Sequence, residues 1–464
     1  MERLATSRGL TTKTALTLGV RSSSSPAVRC KQRPFLPGVA RYLFALALAS
    51  TSACGDDSET TGGGGQGNSG GSANQGGSAN QGGSANQGGS ANQGGSANQG
   101  GSANQGGSMN QGGAPPCSAT TLQDSIRTTS VAISGAGFTG RAITAEHGSS
   151  SVVAWPASDG SIHVTPLDAV DQRAGDDWVV SGADVFGAAM NGDALGLLVS
   201  RPPDYMSLIR LDATGATLST TDLVGGGDHA VVGVEWFGDF ARTGRLAVQG
   251  GSFAAYHALH RHWPDGIGHQ GDTLRLLDAS GAPLGGGWGW GCSHSMDQRL
   301  ATGPGGLVPI CIADCYPGKG IYFNHQTAEI TPDPAADCMG GFTTLLGGLV
   351  AMPNGFFLVF GDANGGAHLG FYDLNGQPVS VRDLDIPGDS RLAAYEDGLL
   401  LGSTSAGGTQ LEVLDGLGVS TGATATIAAP LPAQDFESRS DGEVAWATAS
   451  GAMLTVVRVR SCQP

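Results

Sequence analysis

Asn191-Gly-Asp-Ala-Leu-Gly-Leu-Leu-Val-Ser-Arg-Pro-Pro-Asp-Tyr-Met-Ser-Leu-Ile-Arg-Leu-Asp-Ala-Thr-Gly215 reads as a turn ahead of an apolar strand and then an apolar strand that ends in Asp before another turn. Both halves recur along the chain. A turn ahead of an apolar strand is found at His147-Gly148, Asn191-Gly192, Thr243-Gly244, Pro304-Gly305, Asn354-Gly355, Asp397-Gly398 and Asp441-Gly442, at steps of 44, 52, 61, 50, 43 and 44 residues. An apolar strand ending in Asp is found at Leu167-Asp168, Leu211-Asp212, Leu277-Asp278, Tyr372-Asp373 and Leu414-Asp415. A degenerate copy falls near Tyr322-Phe323-Asn324-His325, and a last one at 456–460. No 3.6-residue apolar period interrupts the pattern, so the segment from Cys117 onward is read as strands and turns.

Both regularities count seven units of roughly 50 residues, each with room for four short strands, a length typical of repeat architectures. One such sheet cannot bury both of its faces, and radial stacking of neighbours solves that problem. The expected fold is therefore all-β, a seven-bladed β-propeller over residues 117–464. The last unit has room for only three strands, so its outer strand is expected from the N-terminal segment, about 121–133. Cys117 and Cys462 bracket those pieces, and a disulfide between them would close the ring.

Two different segments precede this domain. Lys31, Arg33 and Arg41 lead into the short apolar run 42–49, then small residues and Cys54. A basic stretch, an apolar run too short to span a bilayer and a small-residue cleavage zone describe a secretory signal over residues 1–53. Cys54 followed by Gly55-Asp56-Asp57 resembles the lipobox of bacterial lipoproteins, although Thr51 stands where that family usually has an aliphatic residue. The resemblance implies lipidation of Cys54 and a membrane anchor; an ordinary cleaved signal is the alternative. Residues 54–116 contain seven copies of Gly-Gly-Ser-Ala-Asn-Gln, with Met109 replacing Ala in the last. This segment has too little apolar surface to fold and is read as a spacer with a span of roughly 40–50 Å. Beyond residue 53 the chain carries 16 Lys+Arg against 39 Asp+Glu. Such a surface repels phosphate backbones, so no nucleic-acid partner is expected, and a monomer is the simplest state.

Residues scarce elsewhere concentrate between Tyr256 and Cys338, with six of the ten histidines, three of the seven tryptophans and four of the eight cysteines. In the third unit the turn Gly244 and Asp278 lie 34 residues apart, against 17–20 in most units. Residues 256–272 are therefore expected to form a loop insertion between the second and third strands. Residues 288–299 are expected to cross into the fourth blade, 311–319 to form its corresponding loop, and 332–341 to lead into the fifth. Propeller topology puts all four on one face. Strand adjacency then pairs Cys292 with Cys311 and Cys315 with Cys338, zinc coordination by the four being the rival. His257, His260, His262 and His269 with Asp272 could hold a divalent metal, and His294 is a further candidate. They could equally be solvated or bonded to the backbone. Trp263, Trp288 and Trp290 offer stacking faces for a ligand, or they pack between blades. Asp297 and Arg299, two apart on a strand, face one side and are read as an ion pair towards the channel or as ligand contacts.

The Asp box of sialidases, the Gly-His and Trp-Asp pairs of WD40 blades, a Gly-x-Ser-x-Gly elbow and a phosphate loop are all missing. What remains resembles exported bacterial lipoproteins with low-complexity tethers and divergent propellers, which implies an outer-membrane, cell-surface or periplasmic location and no particular activity. The expected function is a binding module for carbohydrate or protein on the blade 3–5 face. The alternatives are a metal-dependent enzyme acting on polysaccharide there and an envelope scaffold without a small-molecule site.

Overall fold

The turns that end the Asp strands are built by one side chain. Asp212 Oδ1 accepts the N–H groups of Thr214 and Ala216 at 2.8 and 2.9 Å, while Gly215 takes a φ of +84° that a side chain would resist. The same carboxylate-to-backbone turn occurs at Asp168, Asp278, Asp373 and Asp415. Each ties down two N–H groups that no ladder reaches, so the hairpin reverses at a fixed register.

A computed structural model describes residues 121–133, 141–225, 234–238, 242–262, 268–294, 297–325, 328–338 and 341–461. These belong to a single unit, Ser102–Pro464. Their strands form seven antiparallel sheets of four. Blades 1 and 2 cover 143–181 and 184–224, blade 3 covers 235–277, and blades 4, 5 and 6 cover 298–332, 345–384 and 391–427. Blade 7 has Glu437–Ser438, Val444–Ser450 and Met453–Val459. The first strands of successive blades lie side by side around a central channel, so the molecule is a seven-bladed β-propeller. Their approach is close: a Cβ at Gly187 of blade 2 would fall 2.6 Å from Leu246 Cβ of blade 3. Between blades the sheets bury apolar faces against each other, as where Phe323 of blade 4 stacks at 5.0 Å on Phe356 of blade 5, whose ring lies 5.3 Å from Tyr372 in its own sheet.

The fourth strand of blade 7 comes from the other end of the domain. Ile126–Ala132 pairs antiparallel with Met453–Val459, from Ile126 opposite Val459 to Ala132 opposite Met453. Asp171, in the last hairpin turn of blade 1, fastens this composite blade. Its carboxylate accepts from Arg127 Nε at 3.0 Å and from Arg458 Nη2 at 2.6 Å, and Arg458 also binds Glu443 at 2.8 Å. Cys117 and Cys462 lie outside the described residues.

Blade 3 departs from expectation. Its first turn is at Gly250-Gly251, with φ of 56° and 77°, and Gly244 instead opens the inner strand Gly244–Gln249. Residues 256–272 are no loop insertion. The second strand runs on as Ser252–His262 and the third as Gly268–Leu277, so the histidines are strand residues in a long hairpin. The extension is supported by Glu235–Trp236, which pairs with Arg261 and His260 in line with the inner strand. On the outer edge only the bridges Leu274–Trp288 and Leu277–Pro283 form, so the Gly-rich segment 283–288 stands in for a regular outer strand.

The Asp171 arrangement predicts the cost of breaking it. Asp171 is buried at 1% exposure; burial alone would raise its pKa, but the bonds from Arg458 and Arg127 prevail and lower it. Asp171→Asn leaves Arg458 short of a counter-charge and should lower the unfolding free energy by about 3 kcal/mol in urea titrations at pH 7. Because the folded pKa is depressed, this contribution is present above the ordinary carboxylate value and is lost as pH falls through the folded one. The difference between wild type and variant should therefore shrink in acid.

Candidate functional site

The crossing from blade 3 to blade 4 and the loops beside it are bonded into one surface. His294 N–H donates to Gln270 O at 3.0 Å, Ser293 N–H to Tyr316 O at 2.8 Å, and Asp333 N–H to Lys319 O at 2.7 Å. Disulfides Cys292–Cys311 and Cys315–Cys338 cross-link the same segments. Asp333 then orders the entry to blade 5 by accepting from the Thr343 and Thr344 N–H groups at 2.7 and 2.8 Å.

Strand alternation decides what the histidines can do. Residues directly opposite in an antiparallel pair share a face, and successive residues alternate. His257 and His269 therefore take one face of the long hairpin, and His260, His262 and Asp272 the other. The five do not converge on one ion. His257 is fully buried: its Nδ1 lies 2.9 Å from Ala258 O, and burial pushes its pKa down to about 4, leaving the imidazole neutral. His260 and His262 pack against Trp236, at 5.1 and 4.7 Å between ring centroids. Among the described residues, the one close trio of ligand-type side chains is Asp272, Cys292 and Cys311, and both cysteines are in the disulfide.

Asp272 belongs to a buried polar cluster between blades 3 and 4. Tyr256 OH donates to its Oδ2 at 2.8 Å and Trp288 Nε1 to its Oδ1 at 3.0 Å. The Trp288 ring meets Tyr256 edge-on at 5.7 Å, so this tryptophan is half-buried packing. Burial raises the Asp272 carboxyl to about 7 despite the two donors.

Trp290 and His294 are different. Trp290 is partly exposed, lies over Gly271, where a Cβ would come within 2.7 Å of its ring, and has the Arg261 guanidinium 5.8 Å from its centroid. His294 Nδ1 sits 3.0 and 3.1 Å from the two oxygens of the fully buried Asp314, and its ring is 6.2 Å from that of exposed His269. Its φ of 48° places it in the left-handed region. Tyr316 is 46% exposed on the bonded loop. Trp263 lies outside the described residues.

Nearer the axis, Asp297 Oδ1 accepts from Arg299 Nη1 at 2.6 Å and from Arg245 Nη2 at 3.3 Å. Arg245 and Arg391 went unread in the sequence. Their signal was present: within residues 117–464, Arg-Leu-Ala occurs at 245–247, 299–301 and 391–393, each time in an inner strand.

No protein-family model and no curated protein sequence matches the chain. Among solved structures, the PQQ-bound aldose sugar dehydrogenase of Streptomyces coelicolor is similar over 71% of this chain and 98% of its own, with 11% identity and a TM-score of 0.37. The WD40 β-propeller domain of Doa1 is similar over 71% and 97%, with 10% identity and a TM-score of 0.39. The WD40 domain of Toxoplasma gondii coronin is similar over 73% and 87%, with 10% identity and a TM-score of 0.39. Likeness at this level carries no activity or ligand across.

The buried cluster predicts a pH signature. A carboxyl whose folded pKa is raised holds its proton more tightly in the native state. Its stabilising contribution is complete below about pH 4 and declines as pH rises through about 7. Asp272→Asn removes that slope. Relative to wild type, the variant should gain on the order of a few kcal/mol between those limits, read from denaturant midpoints at several pH values.

Proposed function

We propose that this chain is an exported binding module whose working surface is the loop face of blades 3–5, with carbohydrate or protein as ligand. One observation carries the reading. Two disulfides and a set of backbone bonds hold exposed Tyr316, partly exposed Trp290 and the His294–Asp314 pair on one surface. Rigid aromatic faces next to oriented polar groups suit a ligand that stacks and is then aligned by hydrogen bonds. Preorganisation of this kind lowers the entropic cost of binding.

The disulfides fit an oxidising, non-cytoplasmic compartment. Among the described residues no helix is long and apolar enough to cross a membrane. In our reading Cys54 is lipidated, residues 54–116 hold the propeller away from an outer-membrane or cell surface, and Cys117–Cys462 secures the closing blade.

A second reading, a metal-dependent enzyme at the same face, rests on the carboxylate of Asp314 against His294 Nδ1 with His269 nearby. A carboxylate on one imidazole nitrogen orients the other for a metal. Zinc titration separates the two readings. A metal site requires saturable zinc binding that His294→Ala abolishes, and the binding-module reading requires none.

Titration of the protein against a panel of polysaccharides, together with cross-linking to envelope proteins, tests the main reading. Tyr316→Ala and Trp290→Ala should each weaken the ligand found by about tenfold, while circular dichroism stays unchanged. Undiminished binding in both variants would move the ligand off this face.

A further inference from the structure

We propose that the mouth of the central channel binds a small oxyanion, or the carboxylate of an acidic ligand, through Arg245, Arg299 and Arg391. The three occupy the beginnings of the inner strands of blades 3, 4 and 6, at one end of the ring. All of them line a cavity of about 430 Å³ that runs along the axis. This inference stands apart from the proposed loop-face function and does not need it.

The charge balance there runs against the rest of the molecule. Acidic residues outnumber basic ones 39 to 16 beyond residue 53, yet Arg245, Arg299 and Arg391 gather here, the first two sharing the one carboxylate of Asp297. The neighbouring Arg141 is already matched by Asp184 at 2.9 Å. Among the described residues Arg391 donates to two backbone carbonyls, Pro432 O at 3.1 Å and Asp389 O at 2.6 Å. Asp435 and Glu437 also line this end; burial raises the pKa of both, and Asp435 is taken up by the Thr144 and Ala447 N–H groups. The arginines feel one another: burial first, then Arg299, holds Arg245 down to about 9, and burial with Arg299 holds Arg391 to about 10.

A purely structural role explains part of this. Arg299 donates to Leu346 O and Gly347 O of blade 5, Arg391 to the carbonyl ahead of blade 7, and Arg245 to Asp297 ahead of blade 4, so each fastens its blade to the next. Those bonds use only part of a five-donor fork. Arg245 engages Gly244 O and Asp297, and Arg391 engages Pro432 O and Asp389 O. Among the described residues those are the bonds the two side chains make, and both residues line the cavity. Fixed guanidinium forks around an open cavity are a geometry that takes up carboxylate, phosphate or sulfate, and an anion there would offset their mutual repulsion.

Isothermal titration of the full chain at low salt, with inorganic phosphate, sulfate, D-glucuronate and neutral D-glucose, tests the proposal. Saturable binding of at least one anion and none of glucose is expected. Tighter glucuronate assigns the site to acidic sugars, and tighter phosphate or sulfate to inorganic or esterified oxyanions. Arg245→Gln and Arg391→Gln should each weaken binding about tenfold, and Tyr316→Ala should leave it unchanged. Arg391→Lys keeps the charge and a folded channel but loses the planar fork, so it should bind several-fold more weakly. The proposal is overturned if none of the three anions saturates, or if a folded Arg391 variant binds as tightly as wild type.

Discussion

The constraint behind the whole structure is that a four-stranded sheet with two apolar faces cannot stand alone. Each blade is a small sheet whose second and third strands are apolar on both sides, as in 194–211, where Leu195, Leu197 and Leu211 face one neighbour while Leu198 and Leu208 face the other. Such a sheet is stable only between two others, and a row of them must close on itself or leave an apolar end. Closure by the borrowed strand Ile126–Ala132 and the Asp171 ion pairs is therefore a condition for the fold.

Much of that logic could be read from residues. An Asp that ends an apolar strand predicts a turn because its carboxylate can capture two N–H groups, and the structure contains those bonds at Asp168, Asp212, Asp278, Asp373 and Asp415. Cys292 with Cys311 and Cys315 with Cys338 followed from which strands must be neighbours. Blade 3 was misread for a physical reason. Thr243-Gly244 looks like a turn, and a run of histidines looks like a loop. Yet in a hairpin lengthened by its own ladder, polar side chains can sit on a strand without ending it. Tertiary pairing with Glu235–Trp236 decides the matter, and nothing local announces it.

The candidate site divides in the same way. Composition located the loop face of blades 3–5 but could not sort its members. The structure puts His257 in the core and Trp288 in a hydrogen bond to Asp272, and leaves Trp290 and His294 partly exposed and His269 exposed. Tyr316 and Asp314 drew no attention because a single tyrosine and a single aspartate in a loop carry no pattern. The channel arginines did carry one, Arg-Leu-Ala repeated three times, but a repeat of three common residues gains meaning only once its copies are known to face one axis.

The borrowed strand also has a mechanical meaning. Any tension arriving along the chain from the Gly-Gly-Ser-Ala-Asn-Gln segment reaches Ile126–Ala132 before any other strand of the propeller. That strand is the outermost of its blade, held by its ladder to Met453–Val459 and by Arg127 gripping Asp171 of the next blade. The element that closes the ring is thus also the first to feel such a pull, and one strong enough to strip it would open the propeller at blade 7 first.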